Sequence, residues 1–278
     1  SIKFVDQDGR TAIALYKGKI KTRQLFNLET AIQSLESKVT PVKGAKHSFH
    51  LGRWRQSKTK THKSADMKRV EEHYAKTGKP PLWENKAMKH VVKKVHTWLW
   101  HADNQVYNDY TAVEAERYFG EAYLMAVLNK GGSGPHYDKM DEPEGLCCVV
   151  PYGKYTGGDL VFPELKLRFV VRPGDIIFFR SRELLHENFA VRGHRRSIVF
   201  TICHNCFTVG GQTNDRAQHY LYYKQKSINS DYEDKLETYS SLEGDGSIVE
   251  SEKQNNDDNG LDNDEIETED ESTTYYSF

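Results

Sequence analysis

The chain has 278 residues, 37% of them hydrophobic and 28% charged, and Lys+Arg 39 against Asp+Glu 40 give a formal net charge of -1. That sum hides a division: residues 231–278 hold 17 acidic residues and only Lys235 and Lys253, a net of -15, so the preceding body carries +14. No apolar run approaches the roughly 20 residues of a membrane helix, and Ser1-Ile2-Lys3-Phe4 does not open a signal peptide, although a chain starting at Ser reads as a fragment or processed form.

Taken in chain order, Ile13-Ala14-Leu15-Tyr16 predicts a strand and residues 29–35 a short helix. Residues 41–97 carry 15 Lys/Arg against 4 Asp/Glu, a net of +11. Within them, 51–63 has little apolar content and reads as an exposed basic loop. After Pro80-Pro81, apolar residues from Trp83 to Leu99 recur at three- and four-residue steps. They predict a helix with one buried stripe and a basic outer face of Lys86, Lys89, Lys93 and Lys94. The four tryptophans, Trp54, Trp83, Trp98 and Trp100, read as core rather than as base-stacking platforms.

From Tyr118 the period changes. Short strands are predicted over 123–128, 146–150, 158–162, 167–171, 175–179 and 197–202, punctuated by Gly131-Gly132-Ser133-Gly134-Pro135, Gly157-Gly158, Pro173-Gly174 and Gly193. Strands at this spacing without helices between them argue for a sandwich or barrel. The division expected is a basic helical N-terminal part over 1–118 packing on the core, a β-rich core over 119–228, and a disordered acidic tail over 229–278, too poor in apolar residues to fold.

The chemistry is concentrated in His136-Tyr137-Asp138 and the distant His186. In a strand, residues i and i+2 share a face, so His136 and Asp138 can reach one atom, and His186 from a neighbouring strand completes two imidazoles and a carboxylate. That set, leaving three positions open, suits Fe(II) that must also hold a cosubstrate and oxygen; zinc favours a closed tetrahedron and Mg²⁺ avoids imidazole. Nine residues beyond His186 stands Arg195, with Ser197 on the same face, a guanidinium and a hydroxyl able to grip a carboxylate. Arg196 competes with Arg195, but would face away from Ser197. His194 and His204, rivals of His186, read as surface residues. Cys203-x-x-Cys206 lacks two further zinc ligands at suitable spacing, so Cys203 reads as a small buried residue.

In this order, His136, Asp138, Gly157-Gly158-Asp159-Leu160, Pro173-Gly174-Asp175, His186, Arg195 and Ser197, the sequence resembles the Fe(II)- and 2-oxoglutarate-dependent dioxygenases over about residues 120–205. The resemblance implies an α+β architecture around a double-stranded β-helix (jelly-roll) core. It implies Fe(II) held by His136, Asp138 and His186, and 2-oxoglutarate held by Arg195 and Ser197. It also implies consumption of O2, with succinate and CO2 as co-products of C–H oxidation. The Gly-Gly-Asp-Leu strand, Pro-Gly-Asp turn and Arg-Arg-Ser are similar to the TET/JBP-like branch, which oxidises a modified nucleobase such as 5-methylcytosine. With the basic region 41–97, this makes nucleic acid, DNA above all, the expected partner, and the target base must leave the stack to reach the metal. Two alternatives stay open: a prolyl- or lysyl-type protein hydroxylase, and a non-catalytic nucleic-acid-binding jelly roll. The four cysteines are too few and clustered for a disulfide framework, which favours a reducing, intracellular compartment. Whether that is the nucleus is left open, because Lys58, Lys60, Lys63, Lys68 and Arg69 are too dispersed for a targeting signal.

Overall fold

Strand alternation does most of the building in this protein, whose computed structural model describes residues 1–55, 61–207 and 274–277. The strands are β1 (Ile2–Val5), β2 (Thr11–Tyr16), β3 (Phe49–Trp54), β4 (His62–Lys63), β5 (Met125–Lys130) and β6 (Cys147–Gly157). After them come β7 (Leu160–Phe162), β8 (Leu167–Phe169), β9 (Ile176–Phe179), β10 (Glu187–Asn188), β11 (Val191–Thr201) and β12 (Thr274–Ser277). Nine form one sheet in the order β12-β1-β2-β9-β6-β11-β5-β3-β4, and three form a second in the order β10-β7-β8. Pairings are antiparallel except between β1 and β12. A bridge between His136 and His186 adds the segment around His136 beside the small sheet.

The two faces of the large sheet bury different things. Ile13, Leu15, Cys147, Val149, Ile177 and Phe179 point toward the small sheet and pack with its Leu160, Phe162 and Phe169. Ala14, Tyr16, Cys148, Val150, Tyr152, Ile176, Phe178, Ile198 and Phe200 point the other way, onto helices. Those helices are α1 (Thr22–Glu36), α2 (Ala65–Thr77), α3 (Lys86–Ala102) and α4 (Asn104–Thr111). The jelly-roll core that the resemblance implied is thus present, as two facing sheets, with helices covering the outside of the larger one.

Helix α3 forms where the three-and-four spacing places it. The Asn85 side chain accepts from the N–H groups of Ala87 and Met88, satisfying donors that have no partner inside the helix. Met88, Val91, Val95 and Leu99 are fully buried, each contributing about 1.5–3 kcal/mol of apolar burial. Asp103 ends α3 and caps α4 through Gln105 and Val106. Among the described residues no helix is long and apolar enough to cross a membrane.

Three sequence expectations change. Residues 51–63 do not begin as a loop: Phe49 and Leu51 are buried, and β3 pairs with β5 through Leu51 opposite Ala126. The charged residues around Gly52 hide this strand. Gly52 itself, at φ +138°, brings the backbone so near Leu124 that a Cβ would lie 2.1 Å from its carbonyl oxygen. The rest of that basic loop, 56–60, lies outside the described residues. Second, the part expected as helical over 1–118 also supplies β1 to β4, so strands before and after residue 118 share one sheet. Third, of the tail expected as disordered, 229–273 and 278 lie outside the described residues, whereas Thr274–Ser277 form strand β12 beside β1.

Candidate metal centre and the arginine beside it

His136 and His186 exchange backbone hydrogen bonds, each N–H donating to the other's carbonyl at 3.1 Å, so the bridge brings the two rings to 4.3 Å between centroids. The Asp138 N–H donates to Ser181 O at 2.9 Å, turning its carboxylate toward both rings. His136 Nε2 lies 3.7 Å from Asp138 Oδ1, and His186 Nε2 lies 3.7 Å from Asp138 Oδ2. One ligand atom from each residue falls within 4.8 Å of the others, and among the described residues these three are the one such cluster of His, Cys, Asp or Glu.

Main-chain carbonyls fix which ring nitrogen is offered. His136 Nδ1 is 2.8 Å from Gly134 O and His186 Nδ1 is 2.9 Å from Leu184 O. A carbonyl only accepts, so each Nδ1 carries the proton and each Nε2 presents its lone pair to the centre. His186 is 4% exposed, packed against Phe162 and Phe179. Burial lowers its pKa, against the pull of Leu184 O and Asp138, and so favours the neutral ring that a metal requires. Sequence reasoning missed what supports the triad. Asp141 accepts from Ser181 Oγ at 2.6 Å, and its pKa is pushed up to about 7 by burial first and by the charge of Asp138 second. Glu164 accepts from Tyr137 Oη at 2.9 Å and from Leu185 N–H at 3.2 Å, tying the segment before His186 to the residue between the other two ligands. No spacing in the sequence signals these contacts, which join loops far apart along the chain.

The register of strand β11 turns its two adjacent arginines to opposite faces of the sheet. Arg196 faces outward to the helices, its Nη1 2.7 Å from Glu36 Oε2. Arg195 and Ser197 face inward, 5% and 2% exposed. The Arg195 Nη1 donates to Gly131 O at 2.9 Å and the guanidinium lies 5.8 Å from the Tyr155 ring. Its Nε has no hydrogen-bond partner, and among the described residues no carboxylate forms an ion pair with it. Burial lowers its pKa, partly offset by Tyr155, yet a guanidinium stays charged. A buried cation without an anion is costly, and among the described residues no carboxylate offsets this one. Gly158, at φ +72°, lets the arginine in: a Cβ there would sit 2.8 Å from Arg195 Cδ. Asn188, two residues beyond His186, donates to Gly158 O at 3.2 Å and links this cradle to the triad.

The glycine-and-aspartate turns prove structural. Asp175 accepts from the N–H groups of Arg172 and Gly18, each at 2.8 Å, and Asp159 binds the Arg168 guanidinium at 2.7 and 2.6 Å. His194 is exposed as expected, whereas His204 is not a free surface residue: its Nδ1 lies 2.9 Å from Oε2 of the buried Glu142.

The structure of NgTET1 in complex with 5mC DNA superposes with a TM-score of 0.60 at 14% identity, covering 80% of this chain and 90% of that one. The fold is shared. Two further structures overlap at lower TM-scores. The viral collagen prolyl hydroxylase vCPH from Paramecium Bursaria Chlorella virus-1 has 0.36 at 14% identity over 70% of this chain and 95% of its own. OsALKBH1 has 0.39 at 16% identity over 68% and 97%. No protein-family model and no curated protein sequence matches the chain.

Proposed function

We propose that this protein is an Fe(II)- and 2-oxoglutarate-dependent dioxygenase acting on a modified nucleobase, 5-methylcytosine or a related base, in DNA or RNA. The observation that carries the reading is the buried, carboxylate-free Arg195 beside Ser197, on the inner face next to two imidazoles and one carboxylate whose donor atoms converge. The donor set fits iron and the unpaired guanidinium fits a dicarboxylate. When bound, the metal supplies oxidation of a C–H bond by O2, coupled to conversion of 2-oxoglutarate to succinate and CO2. His136, His186 and Asp138 would hold it through their converging donor atoms. Arg195 and Ser197 would bind the far carboxylate of 2-oxoglutarate by charge-assisted hydrogen bonds, strengthened by exclusion of water from the inner face.

The +14 charge of the body supports a nucleic-acid substrate, as does the shared fold with a protein solved in complex with 5mC DNA. Helix α3 packs on the outer face of the large sheet, so its lysines stand across that sheet from the triad. We therefore assign the phosphate contacts to the β3–β4 end of region 41–97, which adjoins β5.

The test is a substrate panel with succinate as readout: duplex and single-stranded oligonucleotides with and without a methylated base, against proline- and lysine-containing peptides. Methylated nucleic acid should stimulate succinate release, and His136→Ala should abolish it together with stoichiometric metal binding. Stimulation by peptides alone would replace the reading with a protein hydroxylase, and an unchanged rate in His136→Ala would overturn the site itself.

A further inference from the structure

The Cys203-x-x-Cys206 motif stands outside the site described above, in a turn with two neighbours. On one side Cys203 forms a β-bridge with Asp141, and His204 N–H donates to Met140 O at 2.9 Å. On the other, Arg55 N–H donates to Cys203 Sγ at 3.2 Å, Asn205 Nδ2 donates to Arg55 O at 3.1 Å, and Arg55 Nη1 donates to Asn205 O at 3.2 Å. The turn therefore clasps the end of β3 to the segment that carries Asp138.

Within the turn, Cys206 N–H donates to Cys203 O at 2.9 Å, closing a 3-10 geometry in which side chains three residues apart stack over one another. The two sulfurs lie 2.9 Å apart, both as thiols, with Cys203 half-buried and Cys206 2% exposed. Among the described residues no further His, Cys, Asp or Glu joins them in a ligand cluster, which a structural zinc would need. We infer that Cys203 and Cys206 form a reversible thiol–disulfide exchange site for small disulfides of the glutathione type.

The roles divide by access and by hydrogen bonding. Cys203 receives the Arg55 N–H and faces the half-open side, so it attacks; Cys206, buried behind it, resolves. Donation from Cys206 lowers the Cys203 thiol to about 7, despite burial, and the same contact raises Cys206. The Cys203 thiolate displaces one glutathione thiolate from oxidised glutathione, leaving a mixed disulfide on Cys203. Cys206 then gives up its proton and displaces the second glutathione thiolate from that sulfur. Two protein thiols are oxidised, one glutathione disulfide is reduced, and the protons pass to the two departing thiolates. The buried Cys147 and Cys148, on opposite faces of β6, are internal controls: burial raises both thiols, and neither should react.

The experiment begins with the unaltered protein. The full chain is equilibrated with glutathione redox buffers of graded potential, alkylated, and mapped by mass spectrometry of its peptides. We expect two of the four thiols to disappear together, with a disulfide joining Cys203 and Cys206. Cys206→Ser should accumulate the mixed disulfide on Cys203, and Cys203→Ser should leave Cys206 reduced. Oxidation at Cys147 or Cys148, a stable glutathione adduct in the unaltered chain, no oxidation at any potential, or a stoichiometric zinc ion shielding both sulfurs would each overturn the inference.

Discussion

A guanidinium in a buried setting keeps its charge, so substitutions at Arg195 and Arg196, one position apart on opposite faces of β11, should have sharply different effects. Replacing Arg195 by Met removes a charge-assisted pair worth about 1.5–3 kcal/mol, which corresponds to roughly a 10- to 150-fold loss of 2-oxoglutarate affinity in calorimetric titration of the metal-loaded protein. Arg196→Met should leave that affinity intact and lower stability, because it removes the closer of the two cations, Arg196 and Lys130, that pair with the largely buried Glu36. The reverse pattern would exchange their assignments. Gly158→Ala is a third case: at φ +72°, a side chain is strained and presses on Arg195 Cδ. A stability loss of about 1 kcal/mol from the backbone alone should appear as a lower Tm, accompanied by weaker 2-oxoglutarate binding.

Helix α3 carries a pH sensitivity that belongs to the scaffold. His96, 8% exposed, packs beside Tyr123 with Nε2 lacking a partner, and burial lowers its pKa to about 4. The unfolded chain, with an ordinary histidine near 6.5, binds this proton first as pH falls. Stability is therefore complete above about pH 6.5 and is lost progressively down to about pH 4, by about 3 kcal/mol in all. Urea unfolding at a series of pH values should show that slope, and His96→Phe should flatten it; an identical slope in the variant would assign the acid sensitivity elsewhere.

At this scale one can also see what the sequence conceals. The long apolar stripe of α3 and the apolar cores of β6, β9 and β11 are legible because burial on a fixed period repeats. The polar halves of β6 and β11 are not: Lys154 to Gly157 pairs with Val191 to His194 in a largely exposed ribbon, and cross-strand pairing leaves no mark in hydropathy. The metal triad was legible as residues in a motif. The carbonyls of Gly134 and Leu184 that orient its rings, and the Glu164 link, arise from loop backbone and could be found only in three dimensions.

For the whole molecule, the separation of charge is the property that solution conditions can address. Residues 231–278 carry -15 and the rest of the chain +14, and we propose that the acidic tail competes with nucleic acid for the basic region. Because Thr274–Ser277 pair with β1, the useful deletion spans 229–271 and retains that strand. Nucleic-acid affinity at low ionic strength should rise in the deletion and converge with that of the full chain as salt screens both contacts. Equal affinities at low salt would remove the tail from the mechanism.

The opposite facing of Arg195 and Arg196 carries a last consequence. Because side chains alternate with a period of two, a slip of β11 by a single position would turn Arg196 to the inner face and send Ser197 toward the helices, with composition and charge unchanged. The site is thus encoded as a phase. The ion pair of Arg196 with Glu36 on α1 acts as its gauge from the far side of the sheet, so a helix packed on the outer face helps to decide which cation turns inward.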